Sequence, residues 1–167
     1  MQRTETLIKE MIRYYTGDPK RIQHFIKVHS FAKTIGILEK LDKTTLYTLE
    51  TAALVHDIGI KKCEELYGDC NGKLQEQEGP QAARELLEQL GYDEKVIGRV
   101  CFLVGHHHTY DCIDKVDYQI LVEADFLVNM YEEQLEKATI ENAYRRIFKT
   151  SSGRFMCRQM FDLSNCN

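Results

Sequence analysis

The chain has 167 residues, 43% of them hydrophobic and 29% charged, which is the size and composition of one globular domain able to bury a core without disulfides. These values exclude a collagen-like, low-complexity or membrane-spanning chain. The 22 basic and 26 acidic residues give a net charge of -4, so we expect neither duplex nucleic acid nor a membrane as a partner.

The cysteine pattern and the N-terminal residues indicate a cellular compartment. The first ten residues, MQRTETLIKE, carry too many charges to form the apolar region of a secretory signal. Six cysteines occur without any CxxC pair, which favours reduced thiols over a disulfide framework. We therefore expect a cytoplasmic protein whose cysteines are reduced: Cys63, Cys70, Cys101, Cys112, Cys157 and Cys166.

Helical patterns fill the beginning of the chain. A weak pattern runs from Met1 to Tyr15, and Asp18 followed by Pro19 predicts the start of a second helix, because proline fits the first helical turn. Behind this start, apolar residues recur at three- and four-residue steps, and His29 lies among them. The predicted buried face consists of Ile22, Phe25, Ile26, Ala32 and Gly36.

The next predicted helix ends in an adjacent histidine and aspartate. Its apolar residues begin near Thr45, and the same face reaches His56 and Asp57. Gly59 follows and is expected to end the helix.

A polar segment separates this helix from the following ones. Residues 61–79 contain three glycines and predict a long loop that could form a lid. Pro80 predicts the start of a helix that closes at Gly91, and a further helix begins near Asp93. That last helix ends in three consecutive histidines, namely His106, His107 and His108.

The rest of the chain completes an all-helical fold. Residues 118–130 could form a buried strand or a helix, and we favour the helix because no other segment offers a strand partner. A helix over residues 139–149 follows, and five basic residues between Arg145 and Arg158 could form a solvated face or contact a phosphate. The sequence therefore predicts an all-α, single-domain bundle of six or seven helices over residues 1–167, with the C-terminal helix and tail, residues 139–167, packed on it.

Four ionisable residues continue the apolar faces of three predicted helices. A single histidine on an apolar face is more often a hydrogen-bonded core residue than a ligand, and either aspartate alone could cap a helix or form a turn bond. Together they would bury two carboxylates, which need a shared counter-charge, and a divalent cation bound in a helical bundle supplies it. A mixed imidazole and carboxylate set suits Mn, Fe, Co, Ni, Zn or Mg ions. The predicted metal ligands are His29, His56, Asp57 and Asp125.

These residues resemble the pattern of the HD-domain metal-dependent phosphohydrolase superfamily, which has a histidine, a His-Asp doublet and a distal aspartate on a helical bundle. The resemblance covers roughly residues 20–130. It rests on Val28-His29-Ser30, Leu54-Val55-His56-Asp57-Ile58-Gly59 and Ala124-Asp125. It implies that the four positions bind one ion, and that additional histidines between the doublet and the last aspartate would bind a second one.

The candidates for a second ion are less regular. Gly105-His106-His107-His108 is similar to the paired-histidine position of the superfamily, whereas residues 75–79 have glutamates where an additional histidine is expected. A second ion could thus be held by Glu76 or Glu78 together with His106 or His107. The alternative is a solvated acidic loop.

Two departures from the superfamily pattern restrict the activity. Ile60 stands where relatives that hydrolyse nucleoside monophosphates have an acidic residue, and no Gly-Tyr-Pro follows the histidines as it does in the cyclic-dinucleotide phosphodiesterase branch. Many relatives have a lysine next to the doublet. Here Lys61 and Lys62 are the corresponding candidates for contacting a phosphate group.

The resemblance implies hydrolysis of a phosphate ester, either a nucleotide or another small phosphorylated metabolite, by a metal-activated water. In that reading Asp57 binds the ion and orients the nucleophile, and His106 or His107 donates a proton to the leaving group. The alternative is a non-catalytic, metal-containing HD domain that binds a nucleotide or a protein partner. Di-iron oxygenase chemistry is a third possibility, against which the absent middle histidine argues. The sequence leaves homo-oligomer formation open.

Overall fold

The computed structural model describes residues 2–163. Within this range every regular element is a helix, which confirms the predicted all-α fold. Cys166 lies outside the described residues, and the cysteines within them form no disulfide. The nine helices of the described range are α1 (Gln2–Tyr14), α2 (Pro19–Leu38), α3 (Lys43–Val55), α4 (Gly59–Tyr67), α5 (Gly72–Gln89), α6 (Glu94–Val104), α7 (Val116–Glu132), α8 (Lys137–Ile147) and α9 (Ser151–Phe161).

The polar segment 61–79 is mostly helical, and the prediction of a long loop there is wrong. It contains most of α4 and the first turns of α5, with Gly68 in the left-handed conformation that ends α4. The Asn71 side chain accepts a hydrogen bond from the backbone N–H of Leu74 and caps α5. Pro80 therefore lies inside α5 and does not start it. With α4 and with α9, which lies in the predicted tail, the structure has more helices than the six or seven predicted.

Helix α7 forms the centre of the bundle. Residues on most of its faces are buried, and it packs against α2, α3, α8 and α9. This explains the continuous Ile-Leu-Val run of residues 120–122, because a helix surrounded by others needs apolar residues all around. The Glu123 side chain of α7 accepts hydrogen bonds from the backbone N–H groups of Lys149 and Thr150 and so fixes the start of α9.

The packing of the remaining helices brings the ends of α3 and α6 near α7. Helix α3 packs against α2, α6 and α7, while α5 packs between α4 and α6. The ends of α3 and α6 thereby lie close to the middle of α7. None of the helices within residues 2–163 combines the length and the apolar character needed to cross a membrane.

Candidate metal centre

Four ionisable side chains from α2, α7 and the end of α3 meet in the core. The Nε2 atom of His24 lies 3.2 Å from Asp125 Oδ1, 3.4 Å from Asp57 Oδ2 and 3.3 Å from His56 Nε2. His56 Nε2 in turn lies 3.4 Å from Asp57 Oδ2 and 3.5 Å from Asp125 Oδ1. We call His24, His56, Asp57 and Asp125 the His–Asp cluster. Three of the four predicted ligands belong to it.

His29 is not part of this cluster, and its prediction as a ligand is corrected by the structure. Its Nε2 lies 3.0 Å from Oε2 of Glu50, which also pairs with Lys33 at 3.0 Å. On α2, Val28, Ala32 and Ile35 are fully buried, and His24, four residues before Val28, lies on the face of Val28 and Ala32.

The error arose from the choice of the helix face. Ile26, which the sequence pattern placed inside, is 40% exposed. Because each residue of a helix is rotated by about 100° from the previous one, His29 points away from the direction of Val28 and towards α3. The spacing His24-x-x-x-Val28-x-x-x-Ala32 in the sequence could have identified the correct histidine.

The outer ring nitrogens of the two cluster histidines are held by acceptors. His56 Nδ1 donates to the backbone carbonyl of Ala53 at 2.9 Å. His24 Nδ1 donates to Oε2 of Glu132 at 2.9 Å. With Nδ1 protonated, each neutral ring presents an Nε2 lone pair to the cluster, which is the form that binds a metal ion.

The electrostatics of the cluster favour positive charge at its centre. Burial lowers the pKa of His56, but the carboxylates of Asp57 and Asp125 raise it more, to well above its usual value. Burial likewise raises the pKa of both aspartates, and the adjacent histidines lower it more, so both pKa values fall below the usual range. Two ionised carboxylates in the core therefore attract either protons on the histidines or a cation.

A second group of donors adjoins the cluster through Asp57. Single donor atoms of Asp57, His107 and His108 all lie within 4.8 Å of one another. His107 is buried, its Nδ1 donates to the carbonyl of Val104 at 2.8 Å, and its Nε2 lies 3.5 Å from Asp57 Oδ1. Within residues 2–163 this Nε2 atom has no hydrogen-bond partner. A buried polar atom without a partner is uncommon, and its lone pair can bind an ion.

His108 completes this group as a neutral ring. It contacts the ring of His107 with a centroid distance of 4.0 Å. Burial, with a further contribution from His107, lowers the pKa of His108 to about 4. Its imidazole is therefore uncharged at neutral pH and can serve as a ligand.

The structure does not bring Glu76, Glu78 or His106 to this place. Glu76 Oε1 accepts hydrogen bonds from the backbone N–H of His108 and from Thr109 Oγ1, both at 3.0 Å. Of the four residues predicted for a second ion, only His107 lies beside Asp57. The adjacent side chains of His106 and His107 point in different directions, and Glu76 of α5 is bound to the turn that carries them. A count of histidines in the sequence does not reveal either point.

Glu78 and His106 have other partners. Glu78 accepts a hydrogen bond from the Tyr67 hydroxyl at 3.0 Å. His106 Nδ1 donates to the carbonyl of Phe102 at 2.7 Å, and the two rings are stacked with a centroid distance of 4.3 Å. Glu76 and the hydroxyl of Tyr118, which donates to the carbonyls of His106 and Thr109, thus hold the turn that carries the histidines.

The two lysines predicted to contact phosphate are also engaged elsewhere. Lys61 Nζ donates to the carbonyl of Tyr14 at 3.2 Å, and Lys62 pairs with Glu78 at 3.3 Å. A cleft of about 250 Å³ borders the His–Asp cluster, and the cations that line it are Lys20 and Arg21.

Helix α1 supports the turn between α3 and α4. The Tyr15 hydroxyl donates to the backbone carbonyl of Asp57 at 2.7 Å, and the Tyr14 hydroxyl donates to that of Ile58 at 3.1 Å. These bonds fix the backbone of Asp57, which is common to both donor groups, and of the residue that follows it. The weak N-terminal helix of the sequence pattern therefore has a direct role in shaping the site.

Comparison with known proteins supports the resemblance seen in the sequence. No protein-family model and no curated protein matches the chain. The structure is similar to the crystal structure of a predicted HD superfamily hydrolase from an uncultured Thermotogales bacterium, with a TM-score of 0.66. The two sequences are 25% identical, and the similarity covers 98% of this chain and 86% of the other one. The HD-superfamily resemblance is thereby confirmed.

Proposed function

We propose that the protein is a metal-dependent phosphohydrolase that cleaves a phosphate ester, either a nucleotide or another small phosphorylated metabolite. The observation that carries this proposal is the His–Asp cluster, in which two imidazole nitrogens and two carboxylates from α2, α7 and the end of α3 approach to between 3.2 and 3.5 Å. This donor set fits Mn, Fe, Co, Ni, Zn or Mg ions. The similarity to a structure described as an HD superfamily hydrolase supports it.

A second ion fits the group formed by Asp57, His107 and His108. Asp57 would contribute to both positions, because its Oδ2 faces His24 and its Oδ1 faces His107. The partnerless Nε2 of His107 supports this assignment. We therefore replace the predicted set of Glu76, Glu78, His106 and His107 by these three residues.

A bound divalent ion supplies a water of lowered pKa and polarises a phosphoryl oxygen. The protein residues orient and balance charge around it. Asp57, held at its carbonyl by Tyr15, fixes the direction of the nucleophile. Lys20, exposed in the cleft beside His24, offsets negative charge on the phosphoryl oxygens in place of Lys61 and Lys62.

His107 is the remaining candidate for proton donation to the leaving group. We assign His106 no direct role, because its ring is stacked on Phe102 and it does not belong to the donor group around Asp57. The roles of His107 as ligand and as proton donor exclude one another, since a ligating nitrogen carries no proton. The metal content distinguishes them, because two ions per chain assign His107 as a ligand and one ion leaves it available as an acid.

The proposal is tested by reconstitution of the metal-free protein. We expect Mn²⁺ or Co²⁺ to produce hydrolysis in a panel of phosphomonoesters, phosphodiesters and nucleotides. His24→Gln and Asp57→Ala are expected to abolish this hydrolysis and the tight binding of the ion. His29→Gln, a matched change on the same helix, is expected to retain both.

Two results would contradict this proposal. Unchanged metal binding in His24→Gln, with loss in His29→Gln, would show that the cluster is assigned to the wrong histidine. Full metal occupancy without turnover of any phosphate ester, combined with a rise of the melting temperature on addition of a nucleotide, would instead indicate a metal-containing binding domain.

A further inference from the structure

The histidines around Asp57 differ in the group that holds their outer nitrogen. His56 and His107 each donate from Nδ1 to a backbone carbonyl, of Ala53 and Val104 respectively. His24 donates to a carboxylate, that of Glu132. At similar lengths of 2.8 to 2.9 Å, a hydrogen bond to an anionic acceptor is stronger than one to a neutral carbonyl. His24 is therefore electronically distinct from the other two.

Glu132 is held in place from its other side. Its Oε1 lies 2.6 Å from Nζ of Lys27, and its side chain is only 13% exposed. Lys27 follows His24 by one helical turn on α2, and Glu132 follows Asp125 by two turns on α7. Each of these two helices thus provides one member of the His–Asp cluster and one member of the pair that fixes His24.

We propose that Glu132 is a positioning residue for the metal centre, an inference that rests on the proposed function. It holds the His24 ring with Nδ1 protonated and Nε2 directed at the cluster. Its negative charge makes that nitrogen a better donor to a cation, as carboxylates behind metal-binding histidines do. Lys27 keeps the carboxylate in this position and prevents it from turning into the cleft.

A merely structural role for Glu132 predicts different behaviour. If the Lys27–Glu132 pair only joined α2 to α7, neutralising Glu132 would lower the stability of the metal-free protein and leave its affinity for metal unchanged. A positioning role predicts the reverse, because the amide of glutamine still accepts the His24 N–H and preserves the packing while it removes the charge. Metal affinity and metal-free stability therefore separate the two roles.

The experiment compares wild-type protein with Glu132→Gln and with Glu133→Gln, all stripped of metal. Glu133 is the matched control, because it is the next residue, is exposed and lines the same cleft. Each protein is titrated with Mn²⁺ by calorimetry, and its metal-free melting temperature is recorded. We expect the Kd of Glu132→Gln for Mn²⁺ to rise by about 10- to 100-fold. The Kd of Glu133→Gln and all metal-free melting temperatures are expected to stay at the wild-type values.

Equal Kd values for Glu132→Gln and Glu133→Gln would overturn the inference. Lys27→Met provides a second route if Glu132→Gln does not fold, since it leaves the contact between Glu132 and His24 intact and releases only the far side of the carboxylate. It is expected to raise the Kd less than Glu132→Gln does, and an unchanged Kd would contradict the role of Lys27. Failure of the wild-type protein to bind Mn²⁺, Co²⁺ or Zn²⁺ would overturn the proposed function itself.

Discussion

Replacing Tyr15 by phenylalanine tests whether helix α1 supports the metal centre. The Tyr15 side chain is 3% exposed, and its hydroxyl donates to the Asp57 carbonyl at 2.7 Å. Tyr15→Phe removes one donor and leaves the ring packing unchanged. The carbonyl of Asp57 keeps the backbone N–H of Ile60 as a second donor at 3.0 Å, so we expect the loss of the buried Tyr15 bond to cost about 1–1.5 kcal/mol.

Tyr14→Phe is the natural control for this change. The Tyr14 hydroxyl donates to Ile58 at 3.1 Å from a half-buried position, where water can replace it. We therefore expect this variant to lose less, about 0.5–1 kcal/mol. The two variants alter adjacent residues in the same way and differ in the backbone carbonyl that they release.

Urea denaturation of the metal-free proteins measures both losses, and a repeat with saturating Mn²⁺ measures the effect on the site. Bound metal stabilises the folded state in proportion to RT ln(1 + [L]/Kd), so a displaced Asp57 reduces the stabilisation that Mn²⁺ provides. We expect this reduction in Tyr15→Phe and a smaller one in Tyr14→Phe. If Tyr15→Phe is no less stable than Tyr14→Phe and gains as much from Mn²⁺ as the wild type, the proposed support by α1 is wrong.

Two further predictions concern packing outside the site. Glu123→Ala removes a fully buried side chain that accepts hydrogen bonds from the backbone N–H and the hydroxyl of Thr150. We expect it to lower the free energy of unfolding, measured by urea denaturation, by about 3 kcal/mol. A loss no larger than that of a surface variant would contradict this. Gly59→Ala places a methyl group 2.8 Å from the backbone nitrogen of Gly79 and should lower the melting temperature, whereas Gly98→Ala, in an open helical position, should stabilise by about 0.5–1 kcal/mol. Equal melting temperatures of these two variants would refute the close contact of α4 with α5.

Much of the site could be predicted from local patterns. His56, Asp57 and Asp125 continue runs of buried apolar residues. The inward direction of these runs is unambiguous, because the end of α3 and most of α7 are buried almost all around. For α2 the apolar residues allowed two choices of the buried face, and Ile22 and Ile26 favoured the wrong one. The exposed Ile26 and the half-buried His29 show that an apolar residue near a helix surface does not by itself define the buried face.

The polar segment before Pro80 shows a second limit of local patterns. Glycines at positions 68, 72 and 79 indicate a loop, and a proline indicates a helix start. In the structure Gly79 lies against Gly59, so that α4 and α5 approach closely. Gly79 therefore allows close helix packing, and this role is visible only once the partner helix α4 is in place.

The sequence by itself determined that the chain is all helical and that a histidine–aspartate doublet and a distal aspartate point into its core, because a repeat of 3.6 residues is a local property of each segment. The tertiary structure decided that His24 completes the cluster, that His107 and His108 adjoin it, and that Lys20 lines its cleft in place of Lys61 and Lys62. These features depend on how α2, α6 and α7 are rotated and placed relative to one another. That arrangement is set by the packing of the whole core, and no single segment of the sequence encodes it.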